Sequence, residues 1–95
     1  MRVLWSEGAL QHLAAIYQYI AQTSPVYAEG VVDRIWHRSG QLGEFPDSGR
    51  EVPEYRRPDI REIIQGSYRV IYRRGGDAIE VLAVIHGARR LPPLR

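Results

Sequence analysis

Cysteine and lysine are both missing from this 95-residue chain. Without cysteine there are no disulfides, no thiolate metal sites and no thiol nucleophile, which suits a cytoplasmic location. Without lysine every one of the 13 basic residues is an arginine. A GC-rich genome would produce that usage alone, but not the way the arginines are distributed. No apolar run approaches the roughly 20 residues of a membrane span, and the opening MRVLWSEG holds no apolar stretch of signal-peptide length. Neither membrane association nor secretion is expected. The three histidines, His12, His37 and His86, have no metal-ligand spacing, and the carboxylates form no cluster. No metal and no other cofactor is expected. Phosphate-binding loops, dinucleotide fingerprints and serine-nucleophile elbows are absent as well.

What is present is an ordinary globular composition, 44% hydrophobic and 25% charged, in a length that fits one domain over residues 1–95. Charge is divided unevenly. Residues 1–49 carry three arginines against five carboxylates, a balance of −2, and residues 50–95 carry ten against six, a balance of +4. Guanidinium groups on one surface suit phosphate or carboxylate partners, because each presents a planar fork of donors.

The basic half is also the strand half. Ile60–Ile64 reads as a strand and Gln65-Gly66-Ser67 as a turn. Tyr68–Arg73 alternates, with Tyr68, Val70 and Tyr72 on one face and Arg69, Ile71 and Arg73 on the other. Gly75-Gly76-Asp77 reads as a second turn that uses positive φ. Ala78–Ile85 is apolar at nearly every position from Val81 onward, as befits a central strand. The connections are short, so these strands form an antiparallel meander with one oily face and one arginine-bearing face.

Upstream, Arg2–Trp5 reads as a strand, and Ser6 as the N-cap of an amphipathic helix over Glu7–Ala21. His12, Gln11 and Gln18 fall on its wet side. Ser24-Pro25 opens a second helix running to about Leu42, with Gly30 and Gly40 placed for close helix approach. Trp36 and Tyr27 read as core or rim packing. Phe45–Arg50 is a loop, Val52–Tyr55 is extended, and residues 86–95 form an extended tail. The fold class is α+β: a strand, an antiparallel two-helix hairpin, then a three-stranded antiparallel meander. The first strand joins the sheet either in parallel or at an edge.

The side chains with chemical potential are Arg61, Glu62, Arg69, His86 and Arg89. Antiparallel pairing could gather them, and a histidine with arginines could cleave a phosphodiester without metal. The alternative is structural: Arg61 and Arg69 pair with Glu62, Glu80 or Asp59 on an exposed sheet, and His86 caps a strand end.

Five motifs, in order, carry a resemblance: AxxxLxxIxxYIA over Ala9–Ala21, Ser24-Pro25, LxxFPxSGRxVPE over Leu42–Glu54, IREIIxGxYRVIYR over Ile60–Arg73, and VLxVIHGAR over Val81–Arg89. The chain resembles the RelE/ParE superfamily of type II toxin–antitoxin toxins, closest to its ParE-like branch, almost end to end. The resemblance implies a growth-inhibiting toxin, associated with plasmid stabilisation, that is neutralised by a cognate antitoxin. That antitoxin would wrap the toxin with a helix and a strand, and would itself bind operator DNA. The target would be DNA gyrase, as in the ParE branch, or mRNA on the ribosome, as in the RelE branch.

The resemblance assigns Arg69, His86 and Arg89 to catalysis if the chain is a nuclease, and leaves Arg61, Glu62, Arg73 and Arg90 as contacts to target or antitoxin. Three departures favour a protein inhibitor of a topoisomerase over a metal-free endoribonuclease. The lysines used by mRNA-cutting members are absent. Leu91-Pro92-Pro93-Leu94 replaces their C-terminal aromatic, and the region before Ile60 lacks a dense basic cluster beyond Arg50, Arg56 and Arg57. A third reading is a non-toxic remnant that keeps only the antitoxin contact.

Overall fold

The computed structural model describes residues 1–87. Its elements in chain order are β1 (Arg2–Trp5), α1 (Glu7–Ala21), α2 (Pro25–Gly40), a 3₁₀ turn (Gln41–Gly43), β2 (Arg50–Glu51), β3 (Ile60–Gln65), β4 (Tyr68–Arg74) and β5 (Ala78–His86). The helix starts follow from their caps. Ser6 Oγ accepts the Ala9 N–H and Ser24 Oγ accepts the Tyr27 N–H, each satisfying a first-turn donor that has no helical partner. The second helix stops at Gly40, two residues before its expected end, and tightens into the 3₁₀ turn that seats Leu42 in the core.

The five strands lie in the order β1-β5-β4-β3-β2. β1 runs parallel to β5, with Trp5 opposite Val81, and so is both parallel and an edge. This follows from the intervening helical hairpin, which carries the chain back across the sheet between β1 and the meander. The meander has company on its far side: Arg50–Glu51 pairs with β3, so the extended segment precedes Val52, and Val52–Arg56 turns instead.

A bulge between β4 and β5 reconciles two alternating patterns. Ile71 faces Ala83 and Tyr72 faces Val81, which leaves Leu82 as the extra residue. Without it Val81 and Val84 could not share a face. With it, Ile79, Val81 and Val84 join Val70, Tyr72 and Ile63 beneath Leu13, Val31 and Ile35 of the helices. α1 packs mainly through Ala9 and Leu13, with Ile16 and Ile20 partly buried and Tyr17 at the rim.

The opposite face is not an open arginine surface. Val52, Ile60 and Ile71 form a second buried cluster there, flanked by Tyr55, Leu82 and Ala83. The segment from Arg50 to Asp59 covers the face that sequence alternation assigns to arginine. Other local expectations also change. Gly66 has φ +59° in its turn, whereas Gly75 and Gly76 do not adopt positive φ. Gly30 and Gly40 meet no neighbouring helix. Trp36 lies half exposed and stacks on Trp5 at 5.0 Å, and Tyr27 is exposed.

Candidate functional site

Glu62, on β3, is the anchor of the covered face. Its side chain is completely buried, yet it accepts from Arg69 Nε at 2.6 Å and from Arg50 Nε at 2.7 Å. β3 and β4 pair with Glu62 opposite Ile71 and Ile64 opposite Arg69, so Glu62 and Arg69 are diagonal neighbours on one face. Glu54, from the covering segment, completes the clamp by accepting from both terminal nitrogens of Arg69, at 2.8 and 2.9 Å. The fork-to-fork bond with Glu54 raises the Arg69 pKa above its ordinary value, burial opposes this, and the bond with Glu62 adds to the rise. The pairing with Glu62 was among the sequence expectations, but it is buried, not exposed.

The other expected site residues disperse. Arg73 pairs with Glu80 across β4 and β5 at 2.7 Å in the open, and Asp59 takes Arg57. Arg61 turns to the helix side, where its NH1 donates to the Gly49 carbonyl at 2.9 Å. His86 stands opposite Tyr68 and meets its ring edge-on at 5.8 Å. Tyr68 faces the helices and Arg69 the opposite side, so pairing sends His86 and Arg69 to different faces of the sheet. Antiparallel pairing therefore separates the two groups it was expected to gather. His86, where the tail is expected to begin, instead ends β5; Arg89, Arg90 and the rest of that tail beyond Gly87 lie outside the described residues.

On the His86 side, α1 and the meander enclose a groove of about 490 Å³ lined by His12, Ile16, Tyr19, Tyr68, Val84 and His86. β1 ends at Trp5 opposite Val81, so among the described residues the rest of β5 has no neighbouring strand there. The helix covers it: Ser6 Oγ donates to the Leu82 carbonyl, and the Val84 N–H donates to His12 Nδ1 at 3.2 Å. His12 is exposed, as expected of the wet side of α1, and its ring also serves the sheet edge.

Three structural partners escaped the sequence reading. Glu54 and Asp47 sit in loops, where no periodicity marks a partner. The Tyr72 hydroxyl, inside the core, accepts from the Gly49 N–H at 3.0 Å and donates to the Pro46 carbonyl at 2.9 Å, pinning the loop between α2 and β2. Gly49 allows no side chain there, because a Cβ would lie 2.6 Å from both the Glu62 carbonyl and the Tyr72 hydroxyl.

The family model described as the ParE toxin of the type II toxin–antitoxin system parDE matches residues 3–91. Toxin RelE2 of Caulobacter vibrioides is 29% identical over 89 residues, which cover 93% of this chain and 97% of that protein. Among solved structures, the chromosomal ParDE toxin–antitoxin system from P. aeruginosa superposes with a TM-score of 0.76 over 90% of this chain and 95% of that one, at 24% identity. The YoeB/ParE toxin from Agrobacterium tumefaciens does so with a TM-score of 0.55 over 90% and 98%, at 20% identity. At these identities the two structures speak for the fold.

Proposed function

This chain belongs to the ParE toxin family of type II toxin–antitoxin systems, and from that membership we propose that it arrests growth by poisoning DNA gyrase once released from its antitoxin. The observation that carries the choice of target is the state of Arg69. An arginine that is to hold a scissile phosphate needs free donors. Here Nε serves Glu62 and both terminal nitrogens serve Glu54, with the side chain 8% exposed. Redirecting it would leave the fully buried Glu62 carboxylate with Arg50 as its remaining cationic partner among the described residues, a costly step in a low-dielectric setting. The separation of His86 from Arg69 across the sheet supports the same reading. Arg69 then acts as a structural brace, and toxicity resides in protein contacts.

Neutralisation fits the groove between α1 and the meander. Its wall of Ile16, Val84, Tyr19 and Tyr68 suits an amphipathic helix of the antitoxin. Acidic side chains on the antitoxin would complement the +4 half of the chain.

The deciding experiment is a supercoiling assay with purified gyrase and antitoxin-free protein, ended with a denaturing step that reveals trapped cleavage complexes. Linear DNA accumulating in proportion to the protein is the expected result. Unaltered supercoiling at high excess, together with new mRNA ends on translating ribosomes, would overturn the gyrase reading in favour of an endoribonuclease.

A further inference from the structure

At the end of the sheet remote from the groove, two guanidinium groups converge on one exposed carboxylate. Asp47 Oδ1 lies 2.9 Å from Arg74 Nε and 3.9 Å from Arg61 Nε. Arg61 is held in place by its bond to the Gly49 carbonyl, and Gly49 by the Tyr72 hydroxyl. The base of this site is therefore rigid, while its carboxylate stands on a loop with 61% of its side chain exposed.

Arg61 Nε is buried and has no hydrogen-bond partner among the described residues. A buried donor on a charged group carries a desolvation penalty that a bond to an anion would remove. Among the described residues Asp47 is its salt-bridge partner, and at 3.9 Å it is too far to hydrogen-bond. A carboxylate presents two oxygens in a plane, and here one oxygen, Asp47 Oδ1, bonds Arg74 and stays beyond hydrogen-bonding distance of Arg61. A tetrahedral oxyanion presents oxygens in three directions and can serve both Nε–H groups at once. An exposed ion pair of the Asp47–Arg74 kind is weak and readily exchanged.

We propose that Arg61 and Arg74 form a phosphate-binding site whose resident occupant is Asp47 of the same chain, so that a phosphate group binds by displacing that side chain. The site lies apart from the Arg69 clamp and does not depend on which target the toxin acts upon. Its ligand is a phosphate group, either free or within a nucleic-acid backbone.

The test uses antitoxin-free protein and inorganic phosphate, titrated against chloride at constant ionic strength while the arginine Nε–H resonances are followed by NMR. The expected result is a saturable downfield shift of the Arg61 and Arg74 resonances. Asp47→Asn should tighten phosphate binding about tenfold by removing a like charge from the site. Arg74→Gln should abolish the saturable shift, and because Arg74 is a surface side chain this variant is chosen to stay folded where Arg61→Met, which loses the Gly49 anchor, could fail. A short DNA oligonucleotide in place of phosphate distinguishes the two sources: the same shifts identify the backbone as ligand, and their absence identifies the free anion. Non-saturating shifts equal to those in chloride, or phosphate affinity unchanged in both Asp47→Asn and Arg74→Gln, would overturn the proposal.

Discussion

Glu62 and Arg69 bond at 2.6 Å across the β3–β4 hairpin with side chains 0% and 8% exposed, so the charge most readily assigned to function from sequence lies inside the protein. The pair holds the second apolar cluster together, because Glu54 and Arg50 reach it from the covering segment. Removing one member leaves the other charged and buried.

Glu62→Ala is therefore expected to destabilise the fold by about 3 kcal/mol or more. The combined change Glu62→Leu with Arg69→Met should recover most of that loss, because the two charges that then lose partners, Glu54 and Arg50, have side chains 31% and 65% exposed, and no fully buried charge is left unpaired. Urea midpoints of the single and double variants, compared at equal m-values, measure both. A double variant no more stable than Glu62→Ala would mean that the network also specifies the path of the covering segment.

Tyr72→Phe removes the hydroxyl that bonds both Gly49 and Pro46. A loss of about 1–3 kcal/mol is expected, since two partners are left unsatisfied. The variant also carries a pH signature. Burial raises the Tyr72 pKa above its ordinary 10.0, an effect that the Gly49 N–H and Arg61 only partly offset. The folded state then holds the phenolic proton more tightly than the unfolded chain. That contribution is intact below the ordinary value and is lost as pH climbs through the raised one. Alkaline unfolding followed by circular dichroism should be shallower in Tyr72→Phe. Residual dependence remains from Tyr55 and Tyr68, whose pKa values burial also raises.

Gly66 and Gly76 both stand in hairpin turns with open space around them, but only Gly66 has positive φ. Gly66→Ala should cost about 1 kcal/mol through backbone strain. Gly76→Ala should be neutral or stabilising by up to about 1 kcal/mol, because it restricts only the unfolded chain. Thermal melts of the two variants, run side by side, check the contrast.

His86→Gln should leave growth arrest on induction nearly intact if the protein works by binding a topoisomerase. If His86 transfers a proton in RNA cleavage, the same change should cost at least about a hundredfold. Titrating inducer against colony counts separates these outcomes, with soluble expression of the variant as the control.

Local order was legible in the sequence because its causes are local. The spacing of Ala9, Leu13, Ile16 and Ile20 and the cap at Ser6 define α1 over Glu7–Ala21, and the structure has those same bounds. Ser24-Pro25 starts α2, and the alternation of Tyr68, Val70 and Tyr72 identifies the face beneath the helices. Periodicity of 3.6 or 2 and first-turn capping act within a few residues of chain. The five ordered motifs carried the family for the same reason.

Only the tertiary structure decided what becomes of the charges. Alternation places Arg69 on the second face, but whether that face meets water depends on where residues 50–59 run, and no period in the sequence encodes that path. Glu54 is 15 positions from Arg69 and Asp47 is 14 positions from Arg61, each in a segment without periodic pattern. The bulge at Leu82 and the parallel docking of β1 likewise depend on how whole faces register against one another. Sequence thus determined the helices, the strands other than β2, the faces and the family. The buried clamp, the separation of His86 from Arg69 and the site around Asp47 arise only when distant segments close over the sheet, because desolvation and ion pairing act through space rather than along the chain.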